Sequence, residues 1–278
     1  MVSFVPKDNK LFTSIFDTAS NVLELGMLNV KSDGLYLSGM DSSHVSFIKI
    51  EISKDDFEIY EYIQDIGLGI NLKEFVKILK CSGDKDKIEI SCDSLEESTT
   101  TNLQIKFGGS GINRKYSLKL LYIDEDEIDV PDMDYPMEFE MRSKLFNNLI
   151  NSITVIEGDY IKFNIADQKL TLQSNSDTSE LNIEILKEAR NVEKNILKKQ
   201  DNKFVTKKVM QKEYELYSCE GNFTSTITLN FIKLISKAFS ISPYVMCHVA
   251  PSSPLRMDFM LNDDGTSIQY YVSPKVDY

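Results

Sequence analysis

An internal repeat constrains the fold of this chain more than any other feature of its sequence. Residues 10–12 read Lys-Leu-Phe and recur as residues 144–146, 134 positions later. The segment 33–37 (Asp-Gly-Leu-Tyr-Leu) recurs at the same offset as 167–172 (Asp-Gln-Lys-Leu-Thr-Leu). Short matches in the same order along a chain indicate two tandem copies of one domain.

A third match locates an insertion. The segment 75–79 (Phe-Val-Lys-Ile-Leu) recurs as 231–235 (Phe-Ile-Lys-Leu-Ile), but at an offset of 156 positions. The second copy therefore carries extra residues between its second and third matching segments. We assign them to 187–212, a segment with nine basic and three acidic residues.

Hydrophobic periodicity predicts an α+β fold for each copy, with helices on one side of antiparallel sheets. Apolar residues recur at helical spacing in 10–22, 72–81, 143–153 and 229–239. Alternating or apolar β-favouring segments predict strands; they are 45–52, 87–92, 102–107, 115–121, 161–165, 214–219, 245–249, 256–261 and 268–272.

An acidic stretch divides the two predicted domains. The expected division is an N-terminal domain over 1–120, a connector over 121–135 and a C-terminal domain over 136–278. Between 124 and 140 there are nine acidic residues and no basic ones. Such a run is usually a solvated loop, although a carboxylate cluster could also hold Mg²⁺ in a nuclease.

Composition narrows the function classes. The four cysteines have no CxxC spacing and there are two histidines, so neither a zinc site nor a disulfide framework is expected. No apolar run is long enough to span a membrane, and no membrane partner is expected. The net charge of −12 argues against a nucleic-acid binder unless the basic residues are collected on one face.

Four segments carry a family resemblance. They are 40–46 (Met-Asp-Ser-Ser-His-Val-Ser), 77–81 (Lys-Ile-Leu-Lys-Cys), the acidic connector 121–135 and 270–275 (Tyr-Tyr-Val-Ser-Pro-Lys). Together they resemble the proliferating cell nuclear antigen (PCNA) family of DNA sliding clamps, over nearly the whole chain.

The resemblance implies a non-enzymatic protein without a catalytic residue, metal or cofactor. Two clamp-type domains per chain would assemble as a homotrimer into a pseudo-sixfold ring around duplex DNA. Such a ring is a processivity factor and a docking scaffold for replication and repair proteins. Its implied partners are DNA polymerase and other PIP-box proteins, together with an ATP-dependent clamp loader. The implied location is the nucleus, or the site of viral DNA replication if the source is a virus.

A ring that slides on DNA must attract phosphates without reading bases. Its helices therefore need cations on the face opposite the apolar residues that pack into the core. The resemblance places eight candidates on or beside four helices: Lys10, Lys73, Lys77, Lys80, Arg142, Lys144, Lys233 and Lys237. A lysine on an exposed helix face is more often simply solvated. Uncharged residues stand at several positions where the family commonly has basic ones, which predicts weaker DNA contact; they are Thr13, Ser14, Ser20, Asn148 and Asn151.

The resemblance also implies an apolar pocket for docking peptides beneath the connector. Its residues would be Met40, His44, Val45, Phe47, Ile128, Val130, Pro254, Tyr271, Ser273 and Pro274. Methionine adapts to varied side chains, and a concave apolar site suits an aromatic plug. The alternative is that these are ordinary core and turn residues.

Subunits of this family join by pairing edge strands. The resemblance places one edge near 114–120, with Tyr116 and Leu118, and the other near 179–186, with Leu181 and Ile183. The basic segment 187–212 follows the second edge directly. It is either a flexible charged loop, with partial helix at 187–199, or an extra contact with DNA or a partner.

Two other assemblies fit the same resemblance. One is a subunit of a heterotrimeric checkpoint-type clamp. The other is a monomeric DNA polymerase processivity factor that binds DNA on one face, which the sparse helix lysines make conceivable.

Overall fold

The computed structural model describes residues 2–92, 102–109, 111–123, 128, 130–131, 133–167, 169–185, 191–200, 203–263 and 265–275, with only the backbone described between 191 and 212. These residues form two compact units. The first comprises Met1–Asp132, Phe231–Ser242 and Asp258–Ser273. The second comprises Met133–Asn230, Pro243–Met257 and Pro274–Tyr278.

The helices and strands follow one another in an order that repeats. The first series is β1 Val2–Pro6, α1 Asn9–Val22, β2 Leu25–Lys31, β3 Gly34–Met40, β4 Ser46–Ser53, β5 Phe57–Glu61, β6 Ile66–Asn71, α2 Leu72–Leu79, β7 Lys87–Cys92, β8 Asn102–Gly108 and β9 Arg114–Lys119. The second series is β10 Met137–Arg142, α3 Ser143–Val155, β11 Tyr160–Ala166, β12 Lys169–Asn175, β13 Glu180–Ile185, β14 Asn191–Gln200, β15 Lys203–Lys212, β16 Tyr214–Cys219, β17 Phe223–Thr228, α4 Leu229–Leu234, α5 Ala238–Ile241, β18 Tyr244–Val249, β19 Leu255–Met260 and β20 Ser267–Val272.

Strand pairing confirms the predicted α+β fold and the tandem repeat. In the first unit, antiparallel strands pair in the orders β5-β1-β7-β8-β9 and β6-β2-β3-β4-β20. In the second unit, the order β16-β10-β18 repeats β5-β1-β7, and β13-β12-β11-β17 repeats β4-β3-β2-β6. The hairpin β14–β15 lies between the equivalents of β4 and β5, where the sequence predicted the insertion.

The units are not contiguous in sequence, unlike the predicted division into 1–120, 121–135 and 136–278. Strand β20, near the end of the chain, pairs with β4, and Tyr271 stands opposite Phe47. This pairing brings residues from the end of the chain into the first unit. Cross-strand pairing between distant segments depends on side-chain packing and is not visible in local sequence.

The core of each unit is formed by the apolar stripe of its helices and one face of its strands. In the first unit the ring centroids of Phe12 and Phe16 lie 4.9 Å apart, and those of Phe16 and Phe75 lie 5.0 Å apart. In the second unit Phe139 and Phe146 pack at 6.5 Å. Aromatic pairs at these distances stabilise the packing of α1 on α2 and of α3 on β10 beyond the area they bury.

Two of the predicted helices differ from the structure. The helix expected at 229–239 is broken into α4 and α5, because the amides of Ser236 and Ala238 donate to carbonyls three residues earlier and tighten the chain. The partial helix expected at 187–199 was wrong for residues 191–199, which belong to strand β14. Strand β14 pairs with β15 from Asn191 opposite Lys212 to Gln200 opposite Lys203.

Candidate nucleic-acid interface, docking loop and sheet edges

Helix α2 presents a lysine face to solvent. Asn71 caps its first turn by accepting a hydrogen bond from the amide of Glu74 at 3.0 Å. The residues buried against the sheet are Leu72, Phe75, Val76 and Leu79. Lys73, Lys77 and Lys80 are exposed, as their spacing of three and four residues predicted.

Helix α1 is organised in the same way. The carboxylate of Asp8 accepts from the amides of Lys10 and Leu11, which fixes the start of the helix. Phe12, Ile15, Phe16, Thr18, Ala19 and Val22 form its buried side. Its polar side carries Lys10 and, further along, the partly exposed carboxylate of Asp17.

Five of the eight predicted DNA-contacting cations are engaged by carboxylates of the chain itself. The N–O distances are 3.0 Å for Lys10–Asp84, 3.8 Å for Lys73–Glu24, 2.9 Å for Lys80–Asp17, 2.6 Å for Lys237–Asp17 and 3.0 Å for Arg142–Glu213. Hydrogen bonding to Asp84, together with its charge, raises the pKa of Lys10. These pairs reduce the charge that the helices offer to phosphates.

The other three cations are unpaired within the described part of the chain. Lys77, Lys144 and Lys233 are exposed and form no ion pair with a described residue. Lys77 and Lys233 are equivalent in the internal repeat, on α2 and α4. These lysines are the most available of the predicted set for a phosphate.

The loop between β3 and β4 is organised by the carboxylate of Asp41. One of its oxygens accepts from the amides of Val45 at 2.9 Å and Ser46 at 2.5 Å, and from the Ser46 hydroxyl at 3.0 Å. The other accepts from the amide of Ser43 at 2.8 Å and from its hydroxyl. His44 adopts a φ of 56°, in the left-handed region, and its amide donates to the carbonyl of Asp41.

These hydrogen bonds also set the charge state of Asp41. Burial raises the pKa of the carboxyl, but the hydrogen bonds from Ser43 and Ser46 together outweigh burial and lower the pKa to about 2. We did not predict Asp41 as a site residue, although an aspartate followed by serines two and five positions later is a signal for such a turn. Its role is to hold the loop that carries His44 and Val45.

Part of the predicted docking pocket comes together around this loop. Met40 and Tyr271 both stand opposite Phe47 in neighbouring strands, and the rings of Phe47 and Tyr271 lie 5.9 Å apart. The amide of Ser273 donates to the carbonyl of Val45 at 2.9 Å. Phe47 and Tyr271 are buried, so both contribute to the core of the first unit as well.

The remaining pocket residues divide between the two units. Ile128 and Val130 belong to the first unit, and Ile128 is 45% exposed. Pro254 and Pro274 belong to the second unit, where the Tyr135 hydroxyl donates to the carbonyl of Pro254 at 3.2 Å. The assignment of these residues to a peptide pocket stays a prediction.

The start of the connector is fixed to the first unit by backbone hydrogen bonding. The amide of Leu121 donates to the carbonyl of Gly69 at 2.8 Å. A Cβ at Gly69 would lie only 2.1 Å from the carbonyl oxygen of Leu121, so this close approach requires glycine. The contact between Gly69 of β6 and Leu121 therefore fixes the position of the first residue of the connector.

Both predicted subunit edges are edge strands. Strand β9, with Tyr116 and Leu118, is the last strand of the sheet β5-β1-β7-β8-β9. Strand β13, with Leu181 and Ile183, is the first of the sheet β13-β12-β11-β17. Leu118 is buried in its own sheet, whereas the other three side chains are partly accessible. Each strand therefore pairs on only one side within the sheets that the described residues form.

The described residues offer little other chemistry. Cys81 is exposed, Cys219 is partly exposed, and Cys92 and Cys247 are buried. In the described part of the chain, no group of three or more His, Cys, Asp and Glu side chains is placed to hold a metal. No helix there is long and apolar enough to cross a membrane. The connector carboxylates at 124–127, 129 and 132 lie outside the described residues.

The known proteins that are similar to this chain are described as proliferating cell nuclear antigen or as a sliding clamp. Residues 2–128 match the family described as proliferating cell nuclear antigen, N-terminal domain. The chain is 25% identical over 266 residues to Proliferating cell nuclear antigen 2 of Drosophila melanogaster, covering 96% of this chain and 94% of that protein. It is 25% identical over 265 residues to the DNA polymerase sliding clamp of Nitrosopumilus maritimus (strain SCM1), covering 95% and 94%.

A solved structure has the same fold. The crystal structure of proliferating cellular nuclear antigen from Entamoeba histolytica matches with a TM-score of 0.79 and 17% sequence identity, covering 99% of both chains. Together with the tandem α+β architecture, these matches support a sliding clamp. Among sliding clamps they point to the PCNA type, whose N-terminal domain family matches residues 2–128.

Proposed function

We propose that this clamp assembles as a homotrimer into a ring that encircles duplex DNA, and that it tethers replication and repair proteins to the template. The observation that carries the proposal is the combination, in one chain, of two strand edges and repeat-related helices that bear unpaired lysines. A tethered polymerase stays at high effective concentration near its template, so the clamp raises processivity without catalysing a reaction.

Sequence-independent attraction supports the DNA part of the proposal. Lys77 and Lys233 are ammonium groups on flexible stems, without a partner among the described residues. Such groups neutralise phosphates but do not read base edges. A contact of this kind holds the duplex and lets the protein move along it.

Edge pairing supports the ring. Strands β9 and β13 lie at the edges of different sheets in the same chain. Pairing β9 of one protomer with β13 of the next would satisfy backbone groups on both edges. Because the two edges differ, the contact is head-to-tail, and such contacts generate a closed ring when the rotation between protomers closes.

The loop around Asp41 supports peptide docking. The hydrogen bonds to its carboxylate fix the backbone at His44 and Val45, and the carbonyl of Val45 in turn holds the chain just after Tyr271. A pre-ordered loop lowers the entropy cost of binding a peptide. We propose that this surface, with the connector residue Ile128, takes PIP-box peptides of DNA polymerase and other partners. An ATP-dependent loader would open the ring, in the nucleus or at a viral replication site.

A topological experiment tests encirclement without a loader. The protein is bound at low salt to a linear duplex with biotinylated ends, streptavidin then blocks both ends, and the salt is raised. We expect the protein to stay on the blocked duplex and to be released when a restriction enzyme cuts it. Equal release from blocked and open duplexes at high salt would contradict encirclement.

Peptide titration tests docking. The side chain of Ile128 is 45% exposed, so Ile128→Ala removes apolar contact area without opening a cavity. We expect its affinity for a labelled PIP-box peptide to fall by about tenfold, since removing one buried aliphatic side chain from an interface costs about 1–2 kcal/mol. Leu25→Ala, at a side chain 41% exposed on β2, is the matched control. Equal affinities of the two variants would contradict the assignment.

A further inference from the structure

Asp17 joins three helical segments of the first unit through a single carboxylate. Its Oδ1 lies 2.9 Å from the ammonium of Lys80, which caps the end of α2. Its Oδ2 lies 2.6 Å from the ammonium of Lys237, which precedes α5. Each carboxylate oxygen therefore holds one lysine, and both lysines belong to the set predicted to contact DNA.

Two helical segments each carry a pair of lysines of which Asp17 binds only one. Lys77 and Lys80 are three positions apart, and Lys233 and Lys237 are four positions apart. In each pair, the first lysine has no ion pair with a described residue, whereas the second is bound by Asp17. Asp17 thus sets how many of these four cations are available to bind a phosphate.

Asp17 is poised to stay charged. The exposed fraction of its side chain is 17%, against 51% for Lys80 and 41% for Lys237. Burial raises the pKa of Asp17, but hydrogen bonds and charge attraction from Lys237 and Lys80 outweigh it and lower the pKa. The carboxylate is therefore ionised at neutral pH, while both ammonium groups remain in contact with solvent.

Stability alone is a weak reason for this arrangement. Ion pairs with partly exposed lysines contribute little to folding, because water and salt screen them. The buried residues of α1, such as Phe12 and Phe16, already pack it against its neighbours. The exposed location of the two ammonium groups instead makes them accessible to an incoming anion.

We propose that Asp17 is an internal counter-ion that competes with DNA phosphates for Lys80 and Lys237 and so weakens the grip of the clamp on DNA. This inference rests on the proposed DNA-binding function and deepens it. A phosphate gains either lysine only by displacing the carboxylate of Asp17. The clamp therefore attracts DNA phosphates weakly through Lys77 and Lys233, while Lys80 and Lys237 stay bound to Asp17.

The test compares two variants that each remove one negative charge. Asp17→Asn releases Lys80 and Lys237, whereas Asp65→Asn removes an exposed carboxylate that is hydrogen-bonded only to Tyr62 among described residues. Binding to a short blunt duplex is measured by fluorescence anisotropy from low to moderate salt. Two extra phosphate contacts would make the slope of the log association constant against log salt concentration steeper by up to about 1.8. They would tighten binding at 0.1 M salt by up to about 60-fold.

Three outcomes decide the inference. We expect Asp17→Asn to bind more tightly and with a steeper slope than Asp65→Asn, and the added substitutions Lys80→Gln and Lys237→Gln to restore the wild-type slope. Equal slopes for Asp17→Asn and Asp65→Asn would overturn the inference. Tighter binding that survives the two lysine substitutions would overturn it as well, because the freed lysines would not be its source.

This experiment separates the inference from the proposed function. Anisotropy on a short open duplex needs electrostatic contact but not a closed ring. A protein that is not retained on end-blocked DNA, yet shows the steeper slope for Asp17→Asn, would refute encirclement and support the counter-ion. Thermal unfolding of both variants checks that the helices are intact, and we expect their midpoints to stay close to the wild type.

Discussion

Replacing Asp41 with asparagine should destabilise the loop that carries His44 and Val45, two of the proposed docking residues. In Asp41→Asn the amide nitrogen takes the place of one carboxylate oxygen. Because asparagine keeps a single acceptor oxygen, either the Ser43 amide or the amides of Val45 and Ser46 lose their acceptor. A buried donor left without an acceptor, as the amide of Ser46 would be, costs about 1–3 kcal/mol.

The lowered pKa of Asp41 gives a second magnitude for the same hydrogen bonds. A pKa lowered from 3.8 to about 2 means that the folded state favours the charged carboxylate. The difference corresponds to about 2 kcal/mol of stability at neutral pH. The two magnitudes agree, so we expect Asp41→Asn to lower the free energy of unfolding by about 2 kcal/mol.

The pH dependence has a definite sign. Because the pKa of the folded state is depressed, the stabilisation is complete above the ordinary value of 3.8 and is lost as the pH falls through about 2. The difference between wild type and Asp41→Asn should therefore be full at pH 7 and shrink to about half at pH 3.

Urea unfolding followed by circular dichroism at both pH values measures these differences, since the chain has no tryptophan. Ser42→Ala is the control in the same loop, because the Ser42 side chain is exposed and makes no hydrogen bond to a described residue. A destabilisation below about 0.5 kcal/mol for Asp41→Asn, or a difference independent of pH, would contradict the assigned role of the Asp41 hydrogen bonds.

Three further predictions concern assembly and DNA. Ile183→Asp, on the edge strand β13, should convert the proposed trimer to a species of chain mass with an unchanged circular dichroism spectrum, whereas Thr178→Asp in the preceding turn should leave the mass unchanged. Lys77→Gln should reduce the slope of log K against log salt by about 0.9 if Lys77 neutralises one phosphate, while Lys49→Gln, at a lysine paired with Glu51 on β4, should not. Replacing 191–212, which contains seven lysines and two acidic residues, with a short Gly-Ser turn should lower salt-sensitive DNA binding, and unchanged binding would show that the hairpin makes no DNA contact.

Local patterns predicted much of the fold. Strands β7 and β16 begin and end at the predicted residues, because alternating β-favouring residues lie between clear turn signals. Helix α1 follows its apolar stripe and its cap at Asp8. The offset of the third repeat placed the insertion between the correct strands.

Features that depend on residues far apart in sequence were not predictable. The spacing of Ile196 and Leu197 fits a helix, but β14 is fixed by its pairing with β15. The capture of Lys80 and Lys237 by Asp17 joins residues more than 60 and 200 positions apart, respectively. The sequence therefore predicts the cations of the candidate interface but not which of them the chain neutralises itself.

The molar mass of the purified protein, measured by light scattering over a series of concentrations, decides whether the chain assembles into the proposed ring. We expect a species of about 95 kDa, three times the chain mass of 31.8 kDa, as for a closed homotrimer. A species that remains near 31.8 kDa at every concentration would contradict a self-assembled ring and favour a monomeric processivity factor or a subunit of a heterotrimer.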